Sequence, residues 1–471
     1  MSRAKNSVTS QTSSQTESDR ILSRQCARKI DFRIVPFFML IYFLGVLCKT
    51  NYTYALVSGL QSHLKMTKIN QGNLGSFFFV FYVVFDFFSA FLLKGVRPRY
   101  WLSYSIICWS VAIICCAFAR TPVQLNICRS LFGVFVAGLT PGVILYMQQW
   151  YTRIEMNFRM SLFFSTCTLA NVFAGPIAAA LSRINSNPQH QYKPIFYIEG
   201  GITILVGLLL FFFTHDSPES CSFLNKSEKE FITSQLERSS RLQTSGVTLK
   251  SVLEALNDWK IWVYTLLIFC VNISGITAGF FSPLLIKSLG VSSVTAMLLS
   301  SLPNLCGFIS QLMTSYTMTY FPLWLNSVCF STITLIGIVL YGFVDASPAL
   351  KIIFLCIFGF GAFPNIPVVA TWMSVNSKTR TSRSVASKMT IISTAVSGIA
   401  VPYINTTFDA PKYRASVLLN TVCSLLIVVL SILLSVYFRH LNIIQNQKDD
   451  ESMYDEKSLT QEGNPEFRYK L

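Results

Sequence analysis

Arg129 lies inside an apolar run, Val123 to Trp150, that is long enough to cross a bilayer. A guanidinium is costly in hydrocarbon, so it persists there where it has a task or a partner. Lys49 interrupts a second such run, in Leu47-Cys48-Lys49-Thr50-Asn51, and Glu199 interrupts a third, in Ile198-Glu199-Gly200. Counting along alternating runs puts all three at similar depth, in the first, fourth and sixth. Two cations and one carboxylate leave a net positive cluster. Such a cluster fits an anionic ligand, with Glu199 either compensating one cation or accepting a proton. Lys49, Asn51 and Arg129 are therefore candidate ligand contacts, and Glu199 is the candidate proton-coupling group. Two plainer readings stand beside this one. Both cations can snorkel to the outer boundary, and Arg129 can pair with Glu199 as a brace.

Asp86 sits in the inner third of the second run, ahead of the basic stretch Lys94, Arg97, Pro98 and Arg99. A carboxylate at a helix end beside a basic loop reads as a gate, with Asp86 and Arg99 as its candidate members, or as helix-end structure alone. The second half of the chain differs: its apolar runs hold essentially no carboxylate, and no run contains histidine. Its polar candidates are Asn272, Asn304, Asn365 and Trp372, of which Asn272, Asn365 and Trp372 join the candidate ligand contacts. Gly359 to Pro367 contains Pro364 and Pro367, which predicts a kinked or unwound helix. No phosphate loop, nucleophile triad or metal-spaced cluster occurs. No catalytic residue, metal site or cofactor is expected, and the chain is not read as an enzyme.

The elements that must position these residues are membrane spans. The sequence is 52% hydrophobic and only 13% charged, which suits a polytopic membrane protein. Twelve runs approach the required length of about 20 residues: 34–56, 73–93, 100–119, 123–149, 160–182, 194–214, 261–286, 293–317, 320–344, 350–374, 386–406 and 415–438. The eighth and ninth divide near Tyr320-Phe321-Pro322, where no charge marks a loop. A net charge of +16 raises nucleic acid as a partner, but the position of the cations excludes it. Lysine and arginine gather in the N-terminal tail, at 94–99, at 226–260, at 378–388 and in the C-terminal tail, whereas the intervening loops carry one or two each. That bias is an orientation signal that predicts both termini in the cytosol and the loop after the eleventh run, near Asn405-Thr-Thr407, outside. Thirteen cysteines, most of them inside runs and none in a CxxC pair, read as small apolar core residues.

The organisation that follows is all-α and polytopic. A polar tail (1–33), rich in Ser, Thr and Gln and expected to be disordered, precedes a six-helix lobe (34–214). A cytosolic linker (215–260), with an amphipathic interfacial helix from Ser227 to Arg241, leads to a second six-helix lobe (261–438) and a tail (439–471). Six plus six spans with a cytosolic link is the layout of two-lobed secondary transporters, whose ligand site lies near the midplane.

Several local motifs then fall in a telling order: Leu47-Cys-Lys-Thr-Asn51, Tyr82-Val-Val-Phe-Asp86 with Pro98-Arg-Tyr-Trp101, Arg129 to Gly138 with Pro141-Gly142, and Trp150 to Glu155. Ile198-Glu199-Gly200, Trp372-Met-Ser-Val-Asn376, Asp409 to Tyr413 and the terminal Asn464 to Leu471 follow. In this order the chain resembles the major facilitator superfamily, and within it the fungal allantoate permease family of anion:cation symporters, over about residues 30–471. It departs from that pattern at Cys48-Lys49, where the family has Asp-Arg, and at Val136, where the family has an acidic residue. Between Thr314 and Leu325 the family's acidic-basic motif is missing, and at Asp86 the family more often has Glu. The resemblance implies the two-lobed fold, membrane lipid as surroundings, and carriage of a small organic anion by alternating access with proton symport. Allantoate, nicotinate, pantothenate, biotin and sulfur compounds are the family's range. A uniporter or exchanger of the same fold, or a non-transporting nutrient sensor, is the alternative. The plasma membrane is the expected location, with the endoplasmic reticulum or vacuole as alternatives.

Overall fold

Hydrocarbon offers backbone N–H and C=O groups no partner, so an apolar chain closes these bonds within helices. The computed structural model describes residues 2–93, 95–215, 217–219, 221, 223–241, 249–377, 379–406, 413–455 and 470. Among them are 12 helices long and apolar enough to cross a membrane. They are Cys26–His63, Lys68–Ser89, Pro98–Phe118, Pro122–Gln148, Phe158–Ser182, Lys193–Phe212, Trp259–Phe280, Ser293–Tyr320, Leu323–Phe343, Pro348–Val375, Thr381–Asn405 and Arg414–Ile444, named here as the first to twelfth spans. The uncharged junction between the eighth and ninth is made by Phe321, whose N–H reaches the Thr317 carbonyl, and by Pro322, which is extended at φ −57° and ψ 146°.

The helices form two lobes of six. In the first lobe, span 1 packs on spans 5 and 6, span 2 on span 4, and span 3 on spans 4 and 6. In the second, span 7 packs on spans 10, 11 and 12, span 10 also on spans 8 and 9, and span 9 on span 12. Spans 2 and 11, and spans 5 and 8, join the lobes. The start of the first span, the linker helices Lys226–Arg241 and Leu249–Leu256, and Lys470 lie toward one end of the bundle, here the tail side. On the opposite, far side the lobes are held together. Tyr54 Oη lies 3.4 Å from Ser300 Oγ, and Tyr403 donates to Asn73 Oδ1 at 2.6 Å. Ser76 donates to the Ile399 carbonyl at 2.7 Å. Gly175 faces the Met297 carbonyl so closely that a Cβ there has no room.

Three expectations are corrected. The helix carrying the first span begins at Ser2, so the polar tail is helical rather than irregular; a chain end extends an existing helix without a new nucleation cost. The break in that helix comes later, where Leu56–Leu60 forms a π-turn and Gly59 takes φ 100°, a conformation open to glycine. The tenth span runs helical from Pro348 to Val375 through Pro364 and Pro367, so it does not unwind. Neighbouring helices carry the cost of its prolines. The first linker helix lies against the protein's own first helix: Lys29 meets Glu228 at 2.6 Å, Ile232 is buried, and Arg33 stands over the Phe223 ring at 4.6 Å. Lys29 and the Asn225 N–H hold the Glu228 carboxyl below the ordinary glutamate range. The segments Asp409–Lys412 and Asn464–Tyr469, parts of two motifs above, lie outside the described residues.

Candidate functional site

Charged residues of the first lobe assemble on spans 1, 4 and 6, and span 2 adds aromatic rings. Pro122 opens the fourth span, with the Thr121 side chain accepting from the Gln124 N–H as its cap. Seven residues on, about 10 Å along the helix, Arg129 is 0% exposed. It therefore does not snorkel. Its Nη1 donates to the Cys48 carbonyl at 3.1 Å and to Asn51 Oδ1 at 3.4 Å, and its Nη2 donates to the Lys49 carbonyl at 3.2 Å. The guanidinium also lies over the rings of Tyr52, Phe132 and Phe78, at 4.7, 5.1 and 5.4 Å. The planar fork of arginine suits this fan of acceptors, which the single ammonium of lysine cannot fill.

Glu199, 4% exposed, does not pair with Arg129 directly. Asn51 stands between them: its Nδ2 donates to Glu199 Oε2 at 3.2 Å while its Oδ1 accepts from Arg129. The order Arg129–Asn51–Glu199 ties spans 4, 1 and 6. Thr203 adds a donor to the Glu199 carbonyl at 2.7 Å and touches Cys48 Sγ at 3.8 Å.

Lys49 is two residues from Asn51, so helical geometry turns it to another side of the first span. There its ammonium sits among four rings: Phe79 at 4.9 Å, Phe78 at 5.5 Å, Phe280 at 5.6 Å and Tyr82 at 5.7 Å to the centroids. Phe78, Phe79 and Tyr82 line one face of the second span, as positions three and four apart do, and Phe280 comes from the second lobe. The side chain is half-buried, and among the described residues no carboxylate lies within ion-pair distance of it. The aromatic members are absent from the sequence-based site. The Phe77–Phe79 and Tyr82 spacing was the available signal on span 2, but nothing local pointed to Phe280.

The other candidates do not join this centre. Arg99 donates from Nε to the Phe211 carbonyl at 3.0 Å, at the end of span 6, and lies 5.3 Å from the Phe211 ring. Asp86 is buried, and among the described residues no ion pair joins it to Arg99, so the two proposed gate members are not brought together. Asn272 turns its amide back to the Ile268 carbonyl at 2.8 Å. Asn365 reaches Ser331 of span 9 at 3.1 Å and the Gly361 carbonyl at 3.2 Å. Asn304 donates to the Ser300 carbonyl at 2.9 Å. Trp372 is fully buried and donates to the Lys470 carbonyl at 3.2 Å, and Asn376 joins the same residue from both its amide atoms at 3.0 and 2.9 Å. Among the described residues no group of three His, Cys, Asp or Glu is placed to hold a metal.

The sequence that builds these two lobes matches the Major Facilitator Superfamily model over residues 38–402. The chain belongs to the Major Facilitator Superfamily. Its relatives are transporters, and its twelve apolar helices make it a multi-pass membrane protein. It is 25% identical over 442 residues to the major facilitator-type transporter hxnP of Emericella nidulans, covering 92% of this chain and 88% of that one. It is 25% identical over 463 residues to a high-affinity nicotinic acid transporter of Saccharomyces cerevisiae, covering 95% and 85%. Among solved structures, a bacterial homolog of the human lysosomal transporter Spinster, inward-facing and occupied, superposes with a TM-score of 0.67 at 15% identity, covering 85% of this chain and 96% of that one. A D-xylose-proton symporter superposes at 0.62 and 12%, covering 84% and 97%. These two likenesses concern the superfamily fold.

Proposed function

We propose that this superfamily member imports a small organic anion by alternating access, as an allantoate permease-type symporter, and that Lys49 is the cation that meets the anion. The single observation behind this is the ring-bounded ammonium. Aromatic faces hold a cation in place through their quadrupoles without cancelling its charge. An incoming carboxylate supplies the missing counter-charge and displaces no resident one. Arg129 and Asn51 hold the first span in register behind it, and Glu199 is the proton carrier at the far end of that lattice. The nicotinic acid transporter among the relatives carries a ligand of this chemical class. The far-side contacts Tyr54–Ser300, Tyr403–Asn73 and Ser76–Ile399 support reading this state as inward-facing. The tails and linker lie in the cytosol of a cell whose plasma membrane holds the protein, in keeping with the positive charge on the tail side.

A uniport or exchange cycle is the second reading. It is favoured by one observation: Glu199 is already bonded to Asn51, and no carboxylate occurs in the second lobe's described spans. Uptake into proteoliposomes separates the two. Labelled nicotinate should enter faster when the outside is made acidic, and uncharged nicotinamide should not compete. Uptake indifferent to the gradient assigns uniport, and equal competition by the amide rejects an anion site.

A further inference from the structure

Two sequence motifs that the transport reading leaves unused meet on the tail side. The tenth span ends at Val375, and Asn376 caps it, its N–H on the Trp372 carbonyl at 3.2 Å. The side chain of Asn376 turns to Lys470, in the terminal motif. Its Oδ1 accepts from the Lys470 N–H at 2.9 Å, and its Nδ2 donates to the Lys470 carbonyl at 3.0 Å. The Trp372 indole donates to that same carbonyl at 3.2 Å. One residue is thus held through both of its main-chain polar groups, as a strand holds its neighbour. The Lys470 side chain is exposed.

Other asparagines of the second lobe behave differently. Asn272, Asn304, Asn365, Asn405 and Asn420 each donate to the carbonyl four residues back in their own helix, at 2.8 to 3.2 Å. The Oδ1 of Asn304, Asn365, Asn405 and Asn420 has no partner. Asn376 spends its amide outside its own helix: the second bond from Nδ2 goes to Tyr264 Oη of span 7 at 3.0 Å. Packing fixes the other donor. Trp372 is fully buried, edge-on to Tyr264 at 5.4 Å and to Phe438 of span 12 at 6.3 Å. The chain has the length to return there. Phe438 precedes the end of the last helix, Asp455, by about 26 Å of helix, and the residues from Asp455 to Lys470 can span up to about 50 Å.

We propose that Tyr264, Trp372 and Asn376 form a socket for extended peptide backbone, and that its resident ligand is the chain's own C-terminal end. Main-chain bonds supply the affinity, as in other sites that take up an extended peptide. The socket reads the N–H and C=O of Lys470 and leaves its ammonium free. All three socket residues belong to the second lobe, and Phe438 brings span 12 against them. The docked end is therefore a clasp across spans 7, 10 and 12, and it stays closed while that lobe rocks as a body against the first.

The test is a proline at Lys470, which lacks the N–H, beside an alanine, which keeps it. The full chain, unsubstituted or carrying Lys470→Pro or Lys470→Ala, is purified in detergent and titrated into a fluorescein-labelled peptide with the sequence of residues 464–471, read by anisotropy. A tethered end competes at an effective concentration on the order of mM, so Lys470→Pro should bind the free peptide at least about tenfold more tightly than wild type. Lys470→Ala should match wild type. A labelled peptide with proline in place of Lys470 should bind the Lys470→Pro protein several-fold more weakly than the native peptide does. Equal binding by wild type and Lys470→Pro, or none by either, overturns the proposal. A Lys470→Ala protein that behaves like the proline variant places recognition on the side chain and also overturns it. Hydrogen exchange checks the clasp without added peptide. Trp372→Phe keeps an aromatic ring and removes the indole donor, so amides of the C-terminal peptide should exchange several-fold faster than in wild type, whereas Lys470→Ala leaves them protected. Exchange equal in Trp372→Phe and wild type rejects the socket.

Discussion

Replacing Arg129 should damage the fold before it damages anion recognition. The guanidinium holds the Cys48 carbonyl, Asn51 Oδ1 and the Lys49 carbonyl at 3.1, 3.4 and 3.2 Å and has no exposed surface. Neutral hydrogen bonds between membrane helices average about 0.6 kcal/mol, and bonds to a charged group are worth about 1.5–3 kcal/mol. Three such contacts bracket the loss between about 2 and about 9 kcal/mol. Arg129→Lys keeps the charge but not the fork, so it should fall near the lower bound. Arg129→Met leaves buried acceptors unpaired and should fall near the upper. Lys49→Gln, by contrast, removes ring contacts from a half-buried cation and should change stability by less than about 1 kcal/mol. The assay is thermal unfolding of detergent-solubilised protein followed by size-exclusion fluorescence, alongside uptake. Arg129→Lys with an unchanged midpoint and a weakened apparent affinity refutes the bracing role and places the guanidinium on the cargo.

Three further outcomes follow from the same geometry. Glu199→Gln keeps an acceptor for Asn51 Nδ2, so the protein should fold, and exchange should persist while uptake loses its response to an imposed pH gradient; full gradient-driven uptake removes the proton role. Gly175→Leu fills the space against Met297 and should hold the far-side halves apart, read as faster alkylation of a cysteine placed at Ser58; unchanged alkylation contradicts the closure assigned to spans 5 and 8. Glu228 has a carboxyl lowered by Lys29, so the docked linker helix is fully stabilised above the ordinary glutamate value near 4.3 and loses this as pH falls through the lower folded value. Hydrogen exchange of the Lys226–Arg241 amides, corrected for the intrinsic pH dependence, should accelerate as pH falls below the ordinary glutamate value, and Glu228→Gln should exchange fast at every pH; a wild-type protection that does not change with pH refutes the link.

Much of the scaffold is legible in the sequence because a bilayer demands it. Long apolar runs must become helices, and a buried arginine announces itself by cost. What such a residue touches depends on the rotation of each helix against its neighbours, about 100° per residue. That angle is why Lys49 faces the lobe interface while Arg129, at a similar depth, faces the inside of its own lobe. The Arg129–Glu199 relation was visible as a pair of charges, but the intervening Asn51 required two helices to be superimposed. Phe280 entered the ring around Lys49 from more than two hundred positions away, with no local mark. Trp372 reads as a cargo contact because it is one of the few polar side chains in the second half's runs, yet its indole meets Lys470, 98 residues on. Of the two outcomes that the prolines of span 10 allow, unwinding does not occur, and span 9 packs closely on this helix through Asn365, Gly337 and Gly361.

The central claim is that a ring-held ammonium reads the charge of the cargo. Competition for labelled nicotinate in proteoliposomes, with nicotinate and nicotinamide as unlabelled rivals, tests it in wild type and in Lys49→Gln matched for protein incorporated. Wild type should prefer the acid by at least about tenfold, the equivalent of about 1.4 kcal/mol, and Lys49→Gln should lose that preference while still folding. A variant that retains the full preference for the acid contradicts the claim.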